Sequence, residues 1–195
     1  MTKSSSRTSA NALEFGGECD GRARLVPSVG TVGWTIARVD REDAEALRRM
    51  LARCSAETVR LRFHRALATV SQEVVERLVG AWPKPWRGLA LVALSEGEIV
   101  GHVMCVAEEP EVVEGEVAVV VEDAWQRRGI ARALVARIVE EAAKLGIREF
   151  RGEILPENRA AFVLARRLPA GMVRCSVWGT RRATHGRRVE KDSTS

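Results

Sequence analysis

The sequence predicts an α/β (α+β) fold, in which helices flank a mixed central sheet of six to seven strands. Several short runs alternate in polarity with a period of two, which is typical of strands. Longer runs repeat apolar residues every three or four positions, which is typical of amphipathic helices. In the second half of the chain the two kinds of run follow one another as β-α-β units, whose strands are parallel when they are neighbours in a sheet.

The residue pattern of the first part of the chain predicts one strand and three helices. Asp40 and Asp43 are spaced as an acidic capping box that opens a helix. Ser55 and Ser71 are suited to cap two further helices. The predicted segments are a strand over residues 32–39, a helix that ends near residue 53, and helices over residues 56–67 and 72–79.

An antiparallel meander of three strands comes next. Two strand-like runs, 89–94 and 98–106, are joined by a tight turn at residues 95–97, and a third run covers residues 116–122. The third run is rich in valine, and a strand places its successive residues on opposite faces. One face then holds Glu116, Ala118 and Val120, and the other holds Val117, Val119 and Val121.

The remaining elements complete the sheet. From Gly129 the apolar period changes to that of a helix, and Gly146 is placed to end it. The apolar stripe of this helix consists of Ile130, Leu134, Ile138, Ala142 and Leu145. The chain continues with a strand over residues 148–155, a helix from Asn158 to about residue 168 and a last strand over residues 172–178.

Both ends of the chain lack the period of a strand or a helix. Residues 1–28 mix Ser, Gly and charged residues, and residues 183–195 have a similar character. We therefore predict one folded domain over residues 29–182 between two disordered tails. A chain of 195 residues with 46% hydrophobic residues has enough apolar side chains for one such core.

The composition disfavours several classes of function. The four cysteines and three histidines are scattered, so we predict neither a disulfide framework nor a metal site. No run approaches about 18 apolar residues and the start does not resemble a signal peptide, so we predict a cytoplasmic protein without a membrane partner. The net charge of +5 is spread along the chain without interleaved aromatic residues, which leaves nucleic acid as a weak alternative partner.

A candidate anion site lies between the strand 116–122 and the helix after it. The first turn of a helix presents N–H groups that have no partner within the helix, together with a partial positive charge. Glycine and alanine let an anion approach the backbone closely, so this segment is suited to bind phosphate. The alternative is an ordinary loop glycine between solvated arginines. The segment consists of Gln126, Arg127, Arg128, Gly129, Ile130 and Ala131.

This region resembles the acetyl-CoA motif of the GNAT acetyltransferases. The stretch 116–134 fits the family pattern Gln/Arg-x-x-Gly-x-Gly/Ala, which follows a strand that ends in acidic residues. The stretch 155–161, with the sequence Leu-Pro-Glu-Asn-Arg-Ala-Ala, resembles a second conserved block of that family. The resemblance implies an N-acetyltransferase that uses acetyl-CoA as co-substrate. It also implies that the pyrophosphate lies on residues 126–131 and that Asn158 lies near the CoA arm.

In that family the strands on either side of the motif helix splay apart, and the pantetheine of CoA inserts between them. The resemblance therefore implies a splayed parallel pair of strands that holds CoA. Backbone groups of the first strand would bond the pantetheine and polarise the thioester carbonyl. The residues with this implied role are Ala118, Val119, Val120 and Val121.

The resemblance is closer to a bacterial subgroup that includes protein lysine acetyltransferases. Residues 55–63 are similar to a segment of those proteins, and Glu116 matches a glutamate on their cofactor strand. A primary amine of pKa about 10.4 is almost fully protonated at pH 7, so attack on the thioester needs a base. We assign this role to Glu116, against the alternative of a solvated carboxylate. Other candidates are Glu122, Asp123 and His102.

Two departures from the family pattern bear on catalysis. Many relatives carry a tyrosine in the helix that Asn158 opens, as general acid for the leaving thiolate. This chain contains no tyrosine and the matching position is Ala165, so that role would be taken by water or by no group at all. The usual Leu-Gly-Phe at the end of that helix is replaced by Leu-Pro-Ala-Gly-Met at residues 168–172, in a region expected to form the substrate wall.

Two functions are consistent with these features. The first is transfer of an acetyl group from acetyl-CoA to a primary amine, either a protein lysine or a small molecule. The second is a catalytically weak module that binds acyl-CoA and acts as a sensor. Both use the same phosphate site, so they differ in the role of Glu116. The sequence leaves open whether the protein is a monomer or a homodimer.

Overall fold

The sheet is mixed and holds its strands in chain order. The computed structural model describes residues 24–25, 33–67, 69–108 and 113–178, and within these ranges seven strands form a single sheet. Neighbouring strands from β1 to β5 are antiparallel, whereas β6 is parallel to β5 and β7 is parallel to β6. The mixed sheet predicted from the sequence is therefore confirmed. The strands are β1 (Arg24–Leu25), β2 (Thr35–Arg38), β3 (Trp86–Ser95), β4 (Glu98–Glu108), β5 (Glu114–Val121), β6 (Glu149–Ile154) and β7 (Arg174–Val177).

Helices cover both faces of the sheet. Asp40 and Asp43 form the predicted reciprocal capping box before α1. The hydroxyls of Ser55 and Ser71 each accept a backbone N–H from the first turn that follows, a contact that contributes about 1 kcal/mol. Among the described residues, no helix has the length and apolarity needed to cross a membrane. The helices are α1 (Ala44–Arg53), α2 (Ala56–Phe63), α3 (Gln72–Leu78), α4 (Ile130–Lys144) and α5 (Arg159–Arg167).

Two apolar cores lie on opposite faces of the sheet. Helix α4 covers one face, where Leu134 is fully buried, and helices α1 and α3 cover the other, where Leu47 is fully buried. Burial of a side chain of this size contributes about 1.5–3 kcal/mol. Val117 belongs to the first core and Val120 to the second, which confirms the alternation predicted for β5. The strand is thus fixed from both sides.

Strands β5 and β6 are paired over only a short stretch. Residues Glu114 to Glu116 pair with residues Glu149 to Arg151. Beyond this pairing, β5 continues to Val121 beside β4, and β6 continues to Ile154 beside β7. The two strands diverge, which confirms the splayed parallel pair and leaves a gap in the sheet.

Two element ends differ from the prediction for identifiable reasons. Helix α2 ends at Phe63 rather than at residue 67, because His64 takes a left-handed conformation with φ of 57°. Strand β3 begins at Trp86 rather than at residue 89. This extension needs Gly88, because a Cβ there would lie 2.1 Å from the carbonyl oxygen of Cys105 on β4.

The predicted domain boundaries fall largely outside the described residues. Strand β1 lies within residues 1–28, which the sequence analysis assigned to a tail, and it pairs with β2. The tail predicted over residues 183–195 lies outside the described residues. The domain limits of 29 and 182 stay a prediction.

Candidate active site

The gap between β5 and β6 forms a cavity of about 520 Å³ that reaches both faces of the sheet. On the side of α2 and α3 its wall includes Arg62, Glu116 and Ala118. On the side of α4 and α5 its wall includes Val119 and Asn158. A ligand inserted between the strands can therefore meet a second ligand that arrives from the opposite face.

The backbone of β5 is open toward this gap. Among the described residues, the stretch 117–121 pairs with β4 on one side and has no strand partner on the other. Ala118, Val119 and Val120 lie in this stretch, but the Val120 side chain is buried, so only its backbone can reach a ligand. An unpaired strand edge presents N–H and C=O groups to any extended ligand that takes the place of a strand. The Val121 carbonyl already accepts a hydrogen bond from the Gln126 side chain at 3.2 Å.

The predicted phosphate segment forms the turn into α4. Arg127 and Gly129 have positive φ angles of 63° and 84°, which glycine adopts at least cost. The first bond that closes the helix runs from the Ala133 N–H to the Gly129 carbonyl at 3.0 Å. The N–H groups of Ile130 and Ala131 precede it and lack an acceptor within the helix. The turn thus presents donors and the positive end of the helix dipole, which suits an anion.

The side chains of this segment have different surroundings. Ile130 is buried in the core, so only its backbone can meet a ligand. The Arg128 guanidinium stacks over the Trp125 ring, 4.6 Å from the ring centroid. The Gln126 amide donates to the Thr58 hydroxyl at 3.2 Å. Gln126 therefore fixes the turn against α2.

The acidic residues after β5 attach this turn to α1 and α2. Glu122 forms an ion pair of 2.9 Å with Arg53 Nε. Asp123 accepts hydrogen bonds from the Ser55 N–H and hydroxyl, both at 2.8 Å, and from the Thr58 hydroxyl at 2.9 Å. Partial burial acts to raise the pKa of Asp123, but these hydrogen bonds outweigh it and hold the pKa below its ordinary value. Both carboxylates are engaged in fixing the turn and neither lines the cavity.

Glu116 lies where β5 and β6 part. Its side chain is 49% exposed and lines the cavity on the side of α2 and α3. Its Oε2 atom lies 3.5 Å from Arg151 Nη2 on β6. Among the four candidate bases proposed from the sequence, Glu116 is the one that lines the cavity.

His102 is placed differently from the other candidate bases. It is fully buried, and its Nε2 lies 3.0 Å from the Leu78 carbonyl oxygen. Burial lowers the pKa of His102 to about 3, and the nearby Arg62 acts in the same direction. His102 does not line the cavity, so its contacts are those of a core residue.

Helix α5 forms the far wall of the cavity. The Asn158 side-chain oxygen caps this helix by accepting the Ala161 N–H at 3.0 Å. Ala165 lines the cavity further along α5 and presents only a methyl group. The helix therefore provides no proton donor at the position where many GNAT relatives have tyrosine.

Residues on and next to α2 complete the site, and their roles were not predicted. Thr58 connects Asp123 and Gln126, and Arg62 lies in the cavity wall. Both belong to the segment 55–63, whose sequence is similar to a segment of bacterial protein lysine acetyltransferases. Their partners come from β4, β5 and the turn after it, and no local pattern reveals such long-range contacts.

Comparison with known families agrees with this architecture. Residues 49–168, more than half of the chain, match the model of the acetyltransferase (GNAT) family. The chain therefore belongs to the GNAT acetyltransferases, a family of N-acetyltransferases that use acetyl-CoA. The matched range includes the splayed strands, the turn into α4 and all of α5. No curated protein sequence matches the chain.

Solved structures share the same fold. The GNAT domain of PAT from S. lividans has a TM-score of 0.62 and 29% identity, over 68% of this chain and 78% of that one. A GNAT acetyltransferase from Streptococcus pneumoniae has a TM-score of 0.56 and 20% identity, over 68% and 81%. The protein yncA from Salmonella typhimurium, solved with its cofactor acetyl-CoA, has a TM-score of 0.51 and 22% identity, over 69% and 78%. The last two comparisons concern the fold alone.

Proposed function

We propose that this protein transfers the acetyl group of acetyl-CoA to a primary amine, either a protein lysine or a small molecule, by direct attack on the thioester. The supporting observation is that the open backbone of β5 and the Glu116 carboxylate border one gap in the sheet. The same strand leads directly into the N-terminal turn of α4, whose Gln126 side chain donates to the Val121 carbonyl at 3.2 Å. Acetyl-CoA supplies the acyl carbon and a thiolate leaving group.

The described residues fit the chemistry of this co-substrate. The N–H groups from Arg128 to Ala131 are suited to hold the diphosphate, and the Arg127 side chain adds positive charge. The open edge from Ala118 to Val121 is suited to hydrogen-bond the pantetheine, as a missing strand would. Asn158 lies in the cavity wall on the side of α5, where it can contact the CoA arm. Gln126 contributes by fixing the turn.

Glu116 is the proposed base. When the amine nitrogen bonds to the acyl carbon and the carbon–sulfur bond breaks, the nitrogen must lose a proton. An alkylamine of pKa about 10.4 is neutral in only about one molecule in 10³ at pH 7. A carboxylate in the cavity wall can accept that proton directly or through water. The thiolate takes its own proton from water, since a thiol of pKa about 8.5 leaves far more readily than an alkylamine.

The test is Glu116→Gln, with amine-dependent CoA release and acetyl-CoA affinity measured side by side. We expect parental affinity and a fall in kcat of about 10²–10⁴-fold, which is the usual contribution of a general base. The loss should shrink as the pH rises, because more of the amine is then neutral. The matched control is Glu114→Gln, two residues earlier on the same face of β5, where the carboxylate lies 3.6 Å from Arg174. Parental activity in the Glu116 variant would exclude Glu116 as the base.

A sensor of acyl-CoA is the second candidate. The observation that favours it is Ala165, which provides no acid for the leaving thiolate. A protein that binds acetyl-CoA but releases no CoA with any amine would support the sensor and overturn the transferase. A protein with no affinity for any CoA species would overturn both. The cytoplasmic location and the choice between monomer and homodimer stay predictions.

A further inference from the structure

Arg62 is a charged residue in the cavity wall, and within the part of the chain that the structure describes it has no charged partner. It lies in the last turn of α2, and its Nη2 atom contacts the sulfur of Met104 at 3.2 Å. Its guanidinium carbon lies 4.9 Å from the centroid of the Phe63 ring. Its Nε atom is buried and has no hydrogen-bond partner. A thioether sulfur is a weak acceptor, so most of the donors of this guanidinium are unused.

A neighbouring arginine on the same helix is paired. Arg60, two residues earlier on α2, binds Glu57 at 2.8 Å and Glu157 at 2.7 Å. Among the described residues, no carboxylate forms an ion pair with Arg62. Glu116 acts on it only at longer range, and the closest partner of Glu116 is Arg151. Arg62 therefore differs from Arg60, whose charge is balanced by two carboxylates.

An unpaired guanidinium in a protein wall is unfavourable for folding. Burial lowers the pKa of Arg62 to about 10, which reflects the cost of removing the charge from water. Replacing such a charge by an apolar side chain of similar size is often neutral or stabilising. Groups that are unfavourable for stability and lie in a cavity are candidates for ligand binding. The missing partner of Arg62 is best supplied by an anion from outside the protein.

The position of Arg62 indicates which anion this is. Arg62 and Glu116 line the same side of the cavity, between α2, α3 and β5. The turn at residues 126–131, which is suited to the CoA diphosphate, does not line this cavity. A base and a guanidinium on one wall match a molecule that carries both an amine and a carboxylate. Arginine presents a planar fork of donors that binds both oxygens of a carboxylate.

We propose that Arg62 binds a carboxylate of the acceptor, and that the acceptors of this enzyme are therefore amino acids and related amino-carboxylates. This inference rests on the proposed acetyl transfer and adds the chemical class of its substrate. Arg77 also lines this cavity, but it is paired with Glu73 at 2.7 Å, so it is less suited than Arg62 to bind a carboxylate.

The experiment compares amino acids with the amines that lack only the carboxylate, such as phenylalanine with phenethylamine and leucine with isoamylamine. CoA release is measured for the parent, Arg62→Met, Arg62→Lys and Arg49→Gln. Arg49 is a matched control, because its side chain is half exposed on α1 and pairs with Glu98 away from the cavity. The ratio of kcat/KM for each pair is compared between variants, so differences in amine basicity cancel.

We expect Arg62→Met to lower kcat/KM for amino acids about 10- to 100-fold, as for the loss of hydrogen bonds to a charged group. The values for the matching amines should change less than about twofold, as should every value for Arg49→Gln. Arg62→Lys should retain part of the preference, because it keeps the charge but loses the fork. The thermal midpoint of Arg62→Met should equal or exceed that of the parent, which shows that the effect is not a folding defect.

Three results would overturn the proposal. A parent that uses the plain amines as well as the amino acids shows that the carboxylate is not bound. A parent that prefers succinyl-CoA to acetyl-CoA, with the preference lost in Arg62→Met, shows that Arg62 binds the acyl group instead. Equal losses for amino acids and amines in Arg62→Met show a general role in the site. In each of these cases acyl transfer to an amine stands, whereas the absence of CoA release with every acceptor overturns the transferase.

Discussion

The single carboxylate of Asp123 connects the turn into α4 with helix α2. Three hydrogen bonds from Ser55 and Thr58 hold it, and these bonds keep its pKa below the ordinary value. A carboxyl with a lowered folded pKa stabilises the protein when the pH is above its unfolded pKa of about 3.9. This contribution is lost as the pH falls through the folded pKa. Asp123 is therefore one origin of acid sensitivity in this fold.

We predict that Asp123→Asn lowers the free energy of unfolding at pH 7 and reduces its dependence on pH below about pH 4. The reason is that asparagine retains the size of the side chain but cannot carry the charge that the Ser55 and Thr58 donors stabilise. Urea unfolding of parent and variant from pH 7 to pH 2.5 measures this difference. Two curves that stay parallel across the whole range would show that Asp123 has the same pKa in both states.

At the scale of the elements, only the N-terminal end of helix α4 belongs to the proposed binding site. Its first turn presents the donors suited to the diphosphate, and its last turn is followed by Gly146. Gly129 and Gly146 both have positive φ, of 84° and 90°, and neither has an atom within 4 Å of the position of a Cβ. A side chain introduced at either position would therefore be strained to a similar degree. The two glycines allow the effect of strain to be separated from the effect on binding.

We predict that Gly129→Ala and Gly146→Ala each lower the free energy of unfolding by about 1 kcal/mol, because alanine is strained at positive φ. Only Gly129→Ala should weaken acetyl-CoA binding, by about tenfold or more, since it distorts the turn that holds the phosphate donors. Calorimetric titration with acetyl-CoA and chemical denaturation measure the two effects. Equal affinities of the two variants for acetyl-CoA would show that the diphosphate does not bind at the turn into α4.

The elements also show how far the sequence predicts the structure. Strand β5 and helix α4 were predicted because their apolar periods differ sharply on either side of residues 122–129. The end of α2 was not, because nothing in its period shows that His64 takes a left-handed conformation. In the site, Glu116 was proposed as the base because its strand resembles a family motif, and this role stays a prediction. The unpaired state of Arg62 could not be found, because it depends on which side chains α2, β4 and β5 bring together.

At the scale of the whole molecule, the sheet consists of two parts joined by three residue pairs. Strands β1 to β5 form one part and β6 and β7 form the other, and the cavity lies where they separate. A ligand in the gap therefore bridges both parts. It stabilises the folded state by about 2.7 kcal/mol at a hundredfold excess over its dissociation constant.

We predict that acetyl-CoA slows amide hydrogen exchange chiefly in residues 117–121 and at the start of α4. The reason is that the open edge of β5 and the first turn of α4 gain hydrogen-bond partners there. Exchange followed by mass spectrometry, with and without acetyl-CoA, measures the change for each segment. Slowing confined to segments far from the gap, such as α1 and β2, would contradict the proposed position of the co-substrate.

The open edge of β5 also affects the behaviour of the protein without ligand. Residues 117–121 have the sequence Val-Ala-Val-Val-Val, which favours intermolecular β-pairing when such an edge is unprotected. A coenzyme bound at the proposed position would protect this edge from other polypeptide chains as well as serving the reaction. Preparations depleted of coenzyme should aggregate through this strand, and storage with CoA should keep the protein dispersed.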